Sequence, residues 1–391
     1  MLFWEAYLEG NERQVVAMSL TPLSHHARKS DVIRHFTPNW FTVTMGTGVL
    51  ALLLAPYAPL HGLAMGVWEV NIGLFSVFSL LYLARWVLFP REAALIFGHP
   101  VMPMFLGAIP MGLTTLVNGT AVFAHDYALA ETLWYVNSVL SVGIGLGVPY
   151  AMFTQQSHAL ENMTAVWLLP IVACEVSAAS AGLLAPNLPS HDALALVAEG
   201  YGLWALSVPL AFSILAILFM RLALHKLPGP EMGVSSWLAV GPLGTGSLAL
   251  LLLGHAAGLV FPGAGLAAAA SVAQGAGVIG GLIIWAYGAW WLVLAMAMTL
   301  THVPRGLPFN MGWWGFTFPF GVFILATHAL AAQTGFVFFT YATNGFTGLF
   351  VGLWSMVAAL TLRGGYKGHL FASPCLMAAQ AKARAAMQAA E

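Results

Sequence analysis

Charged residues are scarce in this chain of 391 residues. Asp, Glu, Lys and Arg together make up 7% of the sequence, whereas 60% of the residues are hydrophobic. A composition this apolar leaves no room for a separate soluble domain and is typical of an integral membrane protein. We therefore predict that the lipid bilayer is a partner of the chain, and we expect no nucleic-acid partner.

The chain also lacks the patterns that bind metals, cofactors or nucleotides. Its two cysteines, Cys174 and Cys375, form neither a disulfide framework nor a zinc site. No glycine-rich phosphate loop ending in Lys-Ser or Lys-Thr is present, and the letters of a dinucleotide motif at residues 275–280 follow no predicted strand. We predict no metal, no cofactor and no ATP hydrolysis through a phosphate loop.

What the sequence does contain is long hydrophobic runs. Ten stretches reach or approach the roughly 20 apolar residues that cross a bilayer. They cover residues 38–55, 67–90, 101–124, 131–153, 162–184, 196–223, 234–256, 271–299, 312–331 and 336–361. The predicted fold is an all-α polytopic membrane protein with ten transmembrane helices.

Cationic residues alternate along the chain. All thirteen Lys and Arg residues lie in the two tails or in and beside every second gap between the stretches. The gaps near residues 56–66, 125–130, 185–195, 257–270 and 332–335 contain none. Short cytoplasmic loops retain cations, so this pattern predicts an even number of spans with both termini in the cytoplasm. Arg85 and Glu69, in the second stretch, are expected near the membrane surfaces, where long side chains reach the headgroups.

Three regions follow from this pattern. We expect a cytoplasmic leader at residues 1–35, a transmembrane domain at 36–361 and a cytoplasmic tail at 362–391, in a multi-pass protein of the plasma membrane. Residues 1–35 lack the apolar core of a cleavable signal peptide.

Every odd-numbered stretch has a proline at its start or inside. Of the even-numbered stretches, the second, eighth and tenth have none at these positions, whereas the fourth and sixth contain Pro149 and Pro209. The prolines of the odd-numbered stretches include Pro38, Pro110, Pro170, Pro242 and Pro319. A proline frees a backbone carbonyl, which a membrane tolerates only where protein or a water-filled cavity satisfies it. The odd-numbered helices are therefore predicted to be kinked and to face a common interior, with the even-numbered helices outside.

Two odd-numbered stretches share a tripeptide. Gly46-Thr47-Gly48 in the first matches Gly244-Thr245-Gly246 in the seventh, at an offset of 198 residues, or three units of 66. This spacing favours a helical hairpin repeated five times, with odd-numbered helices inside and even-numbered helices outside. The glycines either expose backbone amides or let helices approach closely, and both readings stay open.

Glu175 falls about midway along the fifth stretch. A carboxylate facing lipid at that depth would cost a few kcal/mol, so the side chain should face the interior and be protonated or paired. Glu175 either couples proton movement to transport or is a buried hydrogen-bonding group.

Several strings resemble a known family. Residues 35–41, His-Phe-Thr-Pro-Asn-Trp-Phe, followed by Met45-Gly46-Thr47-Gly48, resemble the opening of the tellurite-resistance/dicarboxylate transporter family. That family includes tellurite-resistance proteins, yeast malate transporters, fungal sulfite efflux proteins and plant slow anion channels. The strings at residues 99–118, 166–170 and 309–319 are most similar to the sulfite branch.

The resemblance implies five inner helices around a pore in each protomer of a homotrimer. It also implies a pore gate at Phe318, immediately before Pro319; the alternative is that Phe318 only packs between helices. No Lys or Arg lies deep in an odd-numbered stretch. Backbone amides, small hydroxyls and helix N-terminal dipoles are therefore the groups expected to attract an anion.

Export of sulfite or bisulfite is the predicted function. Transport of a C4-dicarboxylate such as malate, or a tellurite-resistance-type anion channel, is the alternative. A membrane enzyme or sensor on the same scaffold would need clustered His, Asp or Glu, of which the odd-numbered stretches offer little, so no catalytic residue is predicted.

Overall fold

The computed structural model describes residue 23 and residues 30–388. Most of the predicted leader, residues 1–22 and 24–29, and residues 389–391 of the predicted tail lie outside the described residues. Within the described part the chain is all-helical and has no β-strand, which confirms the predicted class.

Ten long helices form the body of the molecule. They are α1 Phe41–Leu54, α2 His61–Leu88, α3 Ala108–Gly119, α4 Tyr127–Thr154, α5 Leu169–Leu184, α6 Ser190–His225, α7 Val240–Val260, α8 Ala267–His302, α9 Phe318–Thr334 and α10 Val337–Lys367. Three further α-helices outside this body cover Ser30–His35, Pro90–Ala94 and Pro374–Gln388. Among the described residues, nine helical segments are long and apolar enough to cross a membrane, and Pro38–Leu54 is a shorter apolar helix.

Burial separates odd-numbered from even-numbered helices. In the most apolar part of α5, 94% of the residues are buried inside the protein, whereas the corresponding share in α2 is 17%. Helices α3 and α9 are also mostly buried, α7 is intermediate, and α4, α6, α8 and α10 are largely exposed. Almost every residue of α1 is buried. Exposed apolar faces on the even-numbered helices are what a surrounding bilayer requires.

The odd-numbered helices contact one another in a closed order. Helix α1 contacts α3, α3 contacts α5, α5 contacts α7, α7 contacts α9, and α9 contacts α1. Each even-numbered helix packs against the odd-numbered helix before it and the one after it, and α10 reaches back to α1.

A 3₁₀ turn precedes each odd-numbered helix. These turns are Pro38–Trp40, Met102–Gly107, Ala165–Leu168, Pro230–Ala239 and Met311–Phe316. Pro110, Pro170 and Pro319 follow in the first turn of α3, α5 and α9, and Pro38 begins the turn before α1. A proline in a first helical turn loses no hydrogen bond, since that amide has no intrahelical partner. The prolines therefore begin helices at the junction with a 3₁₀ turn and do not bend them in the middle.

One tryptophan recurs in every even-numbered helix, three residues before a buried position. The pairs are Trp68 and Asn71, Trp134 and Asn137, Trp204 and Ser207, Trp285 and Gly288, and Trp354 and Val357. Four of the indoles donate to the next odd-numbered helix: Trp134 to the Ser177 carbonyl (2.8 Å), Trp204 to the Gly246 carbonyl (3.0 Å), Trp285 to the Thr327 hydroxyl (2.8 Å) and Trp354 to the Thr47 hydroxyl (3.3 Å). Trp68 lies against Gly119 of α3, and its indole nitrogen has no partner among the described residues.

Arg85, in the last turn of α2, joins two distant parts of the chain. Its guanidinium donates to the Phe36 carbonyl oxygen (2.6 Å) and to the Ser373 hydroxyl (3.2 Å). The Ser373 amide in turn donates to Nδ1 of His35 (3.1 Å). We call these four residues the terminal clasp. Arg85 is 1% exposed, so the expectation that it reaches the headgroups was wrong, because its charge is turned inward onto the clasp. Glu69 is exposed on α2.

Candidate functional site

A cavity of about 410 Å³ lies where the odd-numbered helices begin. Each of the five 3₁₀ turns contributes to its wall, through residues that include Asn39, Met102, Val166, Ser235 and Gly312. Residues between 369 and 374, which follow α10, line another part of it. We call this cavity the vestibule. Because all five turns meet there, the N-terminal ends of the odd-numbered helices lie at the same end of the molecule.

Phe318 and Pro319 line the vestibule. Phe318 is the first residue of α9 and is 3% exposed. Thr317, immediately before it, separates the 3₁₀ turn from α9, and its hydroxyl donates to the Trp314 carbonyl (2.7 Å). The aromatic ring expected at a pore gate is thus placed at the wall of the vestibule, next to a change in helix type.

The vestibule carries little formal charge. Among its described lining residues, Glu231 and His369 are the ionisable ones, and none is Lys or Arg. A helix N-terminus carries about half a positive charge from its aligned peptide dipoles. The turns that begin at Pro38, Ala165 and Pro230 start without a side-chain cap, so no capping side chain covers the N–H groups of these turns. Side chains cap the other two turns, since His99 accepts the Met102 amide and Asn310 accepts the Gly312 amide. The three uncapped ends give the cavity partial positive charge without a fixed cation.

His99 holds one part of the vestibule wall. Its Nδ1 accepts the backbone N–H groups of Val101 (3.1 Å) and Met102 (3.2 Å), both of which line the cavity. A backbone amide can only donate, so Nδ1 carries no proton in this arrangement. Partial burial lowers the pKa of His99 below its ordinary value, which favours the same neutral state. Neither His99 nor residues 369–374 were among the predicted site residues.

The Gly-Thr-Gly glycines lie in close helix contacts and not at the vestibule. A Cβ on Gly46 would come within 2.3 Å of the Thr317 hydroxyl oxygen, and one on Gly48 within 2.0 Å of the Thr115 hydroxyl oxygen. A Cβ on Gly244 would lie 2.7 Å from the Phe323 nitrogen. The glycines thus bring α1 against α3 and α9, and α7 against α9, as helix packing requires.

The other members of these tripeptides are equally enclosed. Thr47 accepts the Trp354 indole, and the Thr245 hydroxyl donates to the Gly241 carbonyl (2.7 Å). Gly246 accepts the Trp204 indole through its carbonyl, and a Cβ on it would lie 3.1 Å from Val208. An anion-binding role for these residues stays a prediction.

Glu175 is fully buried on α5. A Cβ on Gly246 would lie 3.6 Å from its Oε2, which places the carboxyl group at the contact of α5 with α7. Neither carboxyl oxygen has a hydrogen-bond partner among the described residues. Ser207 lies beside the group, but its hydroxyl donates to the Ile171 carbonyl (2.8 Å). The structure therefore puts Glu175 in the interior, as predicted, and outside the vestibule lining.

Sequence comparison places this architecture in a family. The profile described as SLAC1, voltage-dependent anion channel, matches residues 35–362. The chain belongs to this family. The resemblance to slow anion channels and their relatives is thereby confirmed, and the protein is a multi-pass membrane transporter of anions.

Named relatives cover most of the chain. The chain is 38% identical to the sulfite efflux pump SSU1 of Arthroderma otae over 353 residues, which is 86% of this chain and 93% of the relative. It is 24% identical to the malic acid transport protein of Schizosaccharomyces pombe over 314 residues, or 75% of this chain and 70% of the relative. The sulfite efflux pump SSU1 of Saccharomyces cerevisiae is 22% identical over 370 residues, 77% of this chain and 80% of the relative.

Proposed function

We propose that the protein exports sulfite or bisulfite from the cytoplasm through a pore that Phe318 closes. The vestibule is the observation that carries this proposal, because it joins five helix N-termini and contains no Lys or Arg among its described lining residues. Partial positive charge attracts an anion without trapping it, which suits permeation. The names of the sulfite efflux relatives support sulfite as the substrate.

The closed order of helix contacts supports the proposed pore. In the proposed arrangement α1–α10 cross the membrane as five hairpins, with odd-numbered helices inside, and Pro38–Leu54 supplies the first span. The positions of Lys and Arg favour cytoplasmic termini in the plasma membrane, with the transmembrane domain at 36–361 between the leader 1–35 and the tail 362–391. The vestibule then opens to the cytoplasm. A membrane potential, negative inside, assists export of an anion by about 2.3 kcal/mol per charge per 100 mV.

Phe318 is the proposed gate because its ring borders the vestibule at the start of α9. Pro319, which lines the vestibule, fixes the backbone beside Phe318. Pro38, Pro110 and Pro170 lie where the first, third and fifth helices begin, at the end of the molecule that holds the vestibule. We also propose a homotrimer with one pore in each protomer, on the strength of the family resemblance.

Malate is the second candidate substrate, because the malic acid transport protein is among the relatives. A dianion with two separated carboxylates would favour a fixed cation in its path. The described vestibule lining offers none, and Glu231 would repel it. The small anion therefore fits the vestibule better.

The test is flux of sulfite, malate and chloride in proteoliposomes at two pH values and a clamped potential. Wild type is compared with Phe318→Ala and with Phe320→Ala. Phe320 is a matched control because it is equally buried on α9 but packs against Trp237, Phe346 and Phe350, away from the vestibule lining.

We expect sulfite flux well above malate flux, and a rise in flux for Phe318→Ala alone. A malate flux larger than the sulfite flux would identify the protein as a dicarboxylate transporter. Unchanged flux in a well-folded Phe318→Ala variant would contradict the proposed gate at Phe318. No flux of any anion would contradict the proposed export.

A further inference from the structure

A second, much smaller cavity lies beside the vestibule. Its volume is about 20 Å³, room for one water-sized particle, and it is bounded by α6, α8 and the turn Pro230–Ala239. Ser235 of that turn lines both cavities. The Trp237 indole of the same turn donates to the Thr299 hydroxyl on α8 (2.9 Å), which holds the shared wall in place. We call the smaller cavity the side pocket.

Two buried side chains that line the side pocket lack hydrogen bonds. Trp291 and His302, both on α8, are each 1% exposed. In the part of the chain that the structure describes, neither the indole nitrogen nor either imidazole nitrogen has a partner. Buried polar groups are nearly always hydrogen-bonded, since burying them unpaired costs free energy. These two groups therefore indicate that the side pocket holds a small polar ligand.

Arg221 makes the side pocket electropositive. It lines the pocket and is 5% exposed. Its guanidinium donates to the Glu161 carbonyl (3.1 and 2.6 Å) and to the Lys226 carbonyl (2.6 Å). No carboxylate of the described residues forms an ion pair with it. The carbonyl groups accept three hydrogen bonds, one each from Nε, Nη1 and Nη2, but they leave a full positive charge that no carboxylate among the described residues balances.

We propose that the side pocket binds one halide-sized anion, such as chloride, between the Trp291 indole, the His302 ring and the charge of Arg221. Indole and imidazole N–H groups supply donors, and Arg221 supplies the opposite charge that a buried anion needs. The Ser235 and Ser236 hydroxyls already donate to the Met232 carbonyl (2.7 Å) and the Gly233 carbonyl (3.3 Å). A volume of about 20 Å³ has no room for sulfite or a carboxylate, so this site is separate from the proposed permeation path.

An anion bound in the side pocket would stabilise the vestibule wall formed by the turn Pro230–Ala239. The turn Pro230–Ala239 has the side pocket on one side and the vestibule on the other, and Gly233 leaves room for the His302 ring, whose Cδ2 would lie 2.9 Å from a Cβ at that position. The bound anion then couples the halide concentration to the rigidity of this wall.

The experiment measures the thermal unfolding of purified protein in sodium chloride and in sodium gluconate, at equal ionic strength and pH. Gluconate is too large for the side pocket. The test variants are Trp291→Phe and His302→Phe. Trp290→Phe is the matched control, since Trp290 is 45% exposed beside Trp291 on the same helix, and Phe318→Ala reports on anion binding at the vestibule.

We expect chloride to raise the Tm of the wild type by a few °C in a saturable manner. The rise should be lost in both test variants and kept in both controls. No chloride effect on the wild type would show that the side pocket holds only water, and an equal rise in all variants would place the ion elsewhere. If neither test variant folds, anomalous scattering from wild-type crystals grown in bromide tests the proposal instead. The proposal requires a bromide peak beside Trp291 and His302, and the lack of one would contradict it.

Discussion

The tryptophans of the even-numbered helices provide a sharp test of the repeated architecture. Trp134 is fully buried and donates to the Ser177 carbonyl, whereas Trp68 is 8% exposed and its indole nitrogen has no partner among the described residues. Replacement of either by Phe removes a similar volume from the same place in the repeat. The two substitutions therefore differ mainly in whether the indole N–H group that they remove was hydrogen-bonded.

The expected magnitudes follow from these environments. The smaller ring costs roughly 1–2 kcal/mol at either site. Trp134→Phe also loses a hydrogen bond, worth about 1 kcal/mol, whereas Trp68→Phe removes an unpaired buried donor and regains about 1 kcal/mol. Trp134→Phe should thus be the more destabilising by about 2 kcal/mol.

Equilibrium unfolding in mixed micelles with increasing dodecyl sulfate, followed by far-ultraviolet circular dichroism, measures both free energies. Equal losses for the two variants would refute the reasoning, because they would show that the indole hydrogen bonds do not join the even-numbered helices to the odd-numbered ones. A larger loss for Trp68→Phe would show that its N–H group has a partner in the membrane.

Three further predictions concern other parts of the molecule. Gly48→Ala puts a methyl group within 2.0 Å of the Thr115 hydroxyl and should cost about 3 kcal/mol of unfolding free energy or prevent folding. Gly143→Ala, with nothing within 4 Å, should be neutral or slightly stabilising. Similar losses for the two variants in the same unfolding assay would contradict this prediction. The lowered pKa of His99 means that its stabilising contribution is present above the ordinary histidine pKa and is lost as pH falls through the lowered value. An Asn side chain at position 99 can accept the same two amides but does not titrate. The Tm of His99→Asn should therefore vary less between pH 7.5 and pH 5 than the Tm of the wild type, and equal variation in the two proteins would contradict this prediction. If Glu175 carries the proton, Glu175→Gln should abolish the pH-driven part of anion flux in proteoliposomes. An unaltered pH response would leave Glu175 a buried group without a transport role.

Much of the helical plan could be predicted from composition and the positions of a few residue types. Hydrophobic runs and cation-free gaps predicted the helices and their order. Proline occurs at or near the start of the odd-numbered helices that the structure buries, but it also occurs inside α4 and α6, at Pro149 and Pro209. The first stretch, predicted at 38–55, is found at Pro38–Leu54. The family strings placed Phe318 at a functional position, and the structure puts it at the vestibule wall.

Other features were missed for physical reasons. The 3₁₀ turns depend on how the odd-numbered helices meet, which local sequence does not determine. The part of the vestibule wall after α10 depends on a contact between Arg85 and Ser373, 288 residues apart, for which no local signal exists. The recurrence of Trp in all five even-numbered stretches was visible in the sequence, and it would have strengthened the case for five repeats beyond the two Gly-Thr-Gly strings. The burial of the residue three positions later was not visible there.

The terminal clasp joins residues that a ribosome makes at opposite ends of synthesis. Phe36 lies just before α1, near the start of the chain. Ser373, whose hydroxyl accepts a hydrogen bond from the same Arg85 guanidinium, is synthesised much later. Until then Arg85 lacks one of its two described partners in a site that is buried when complete. The segment after α10 is therefore fixed against α2 only once the chain has been made as far as Ser373.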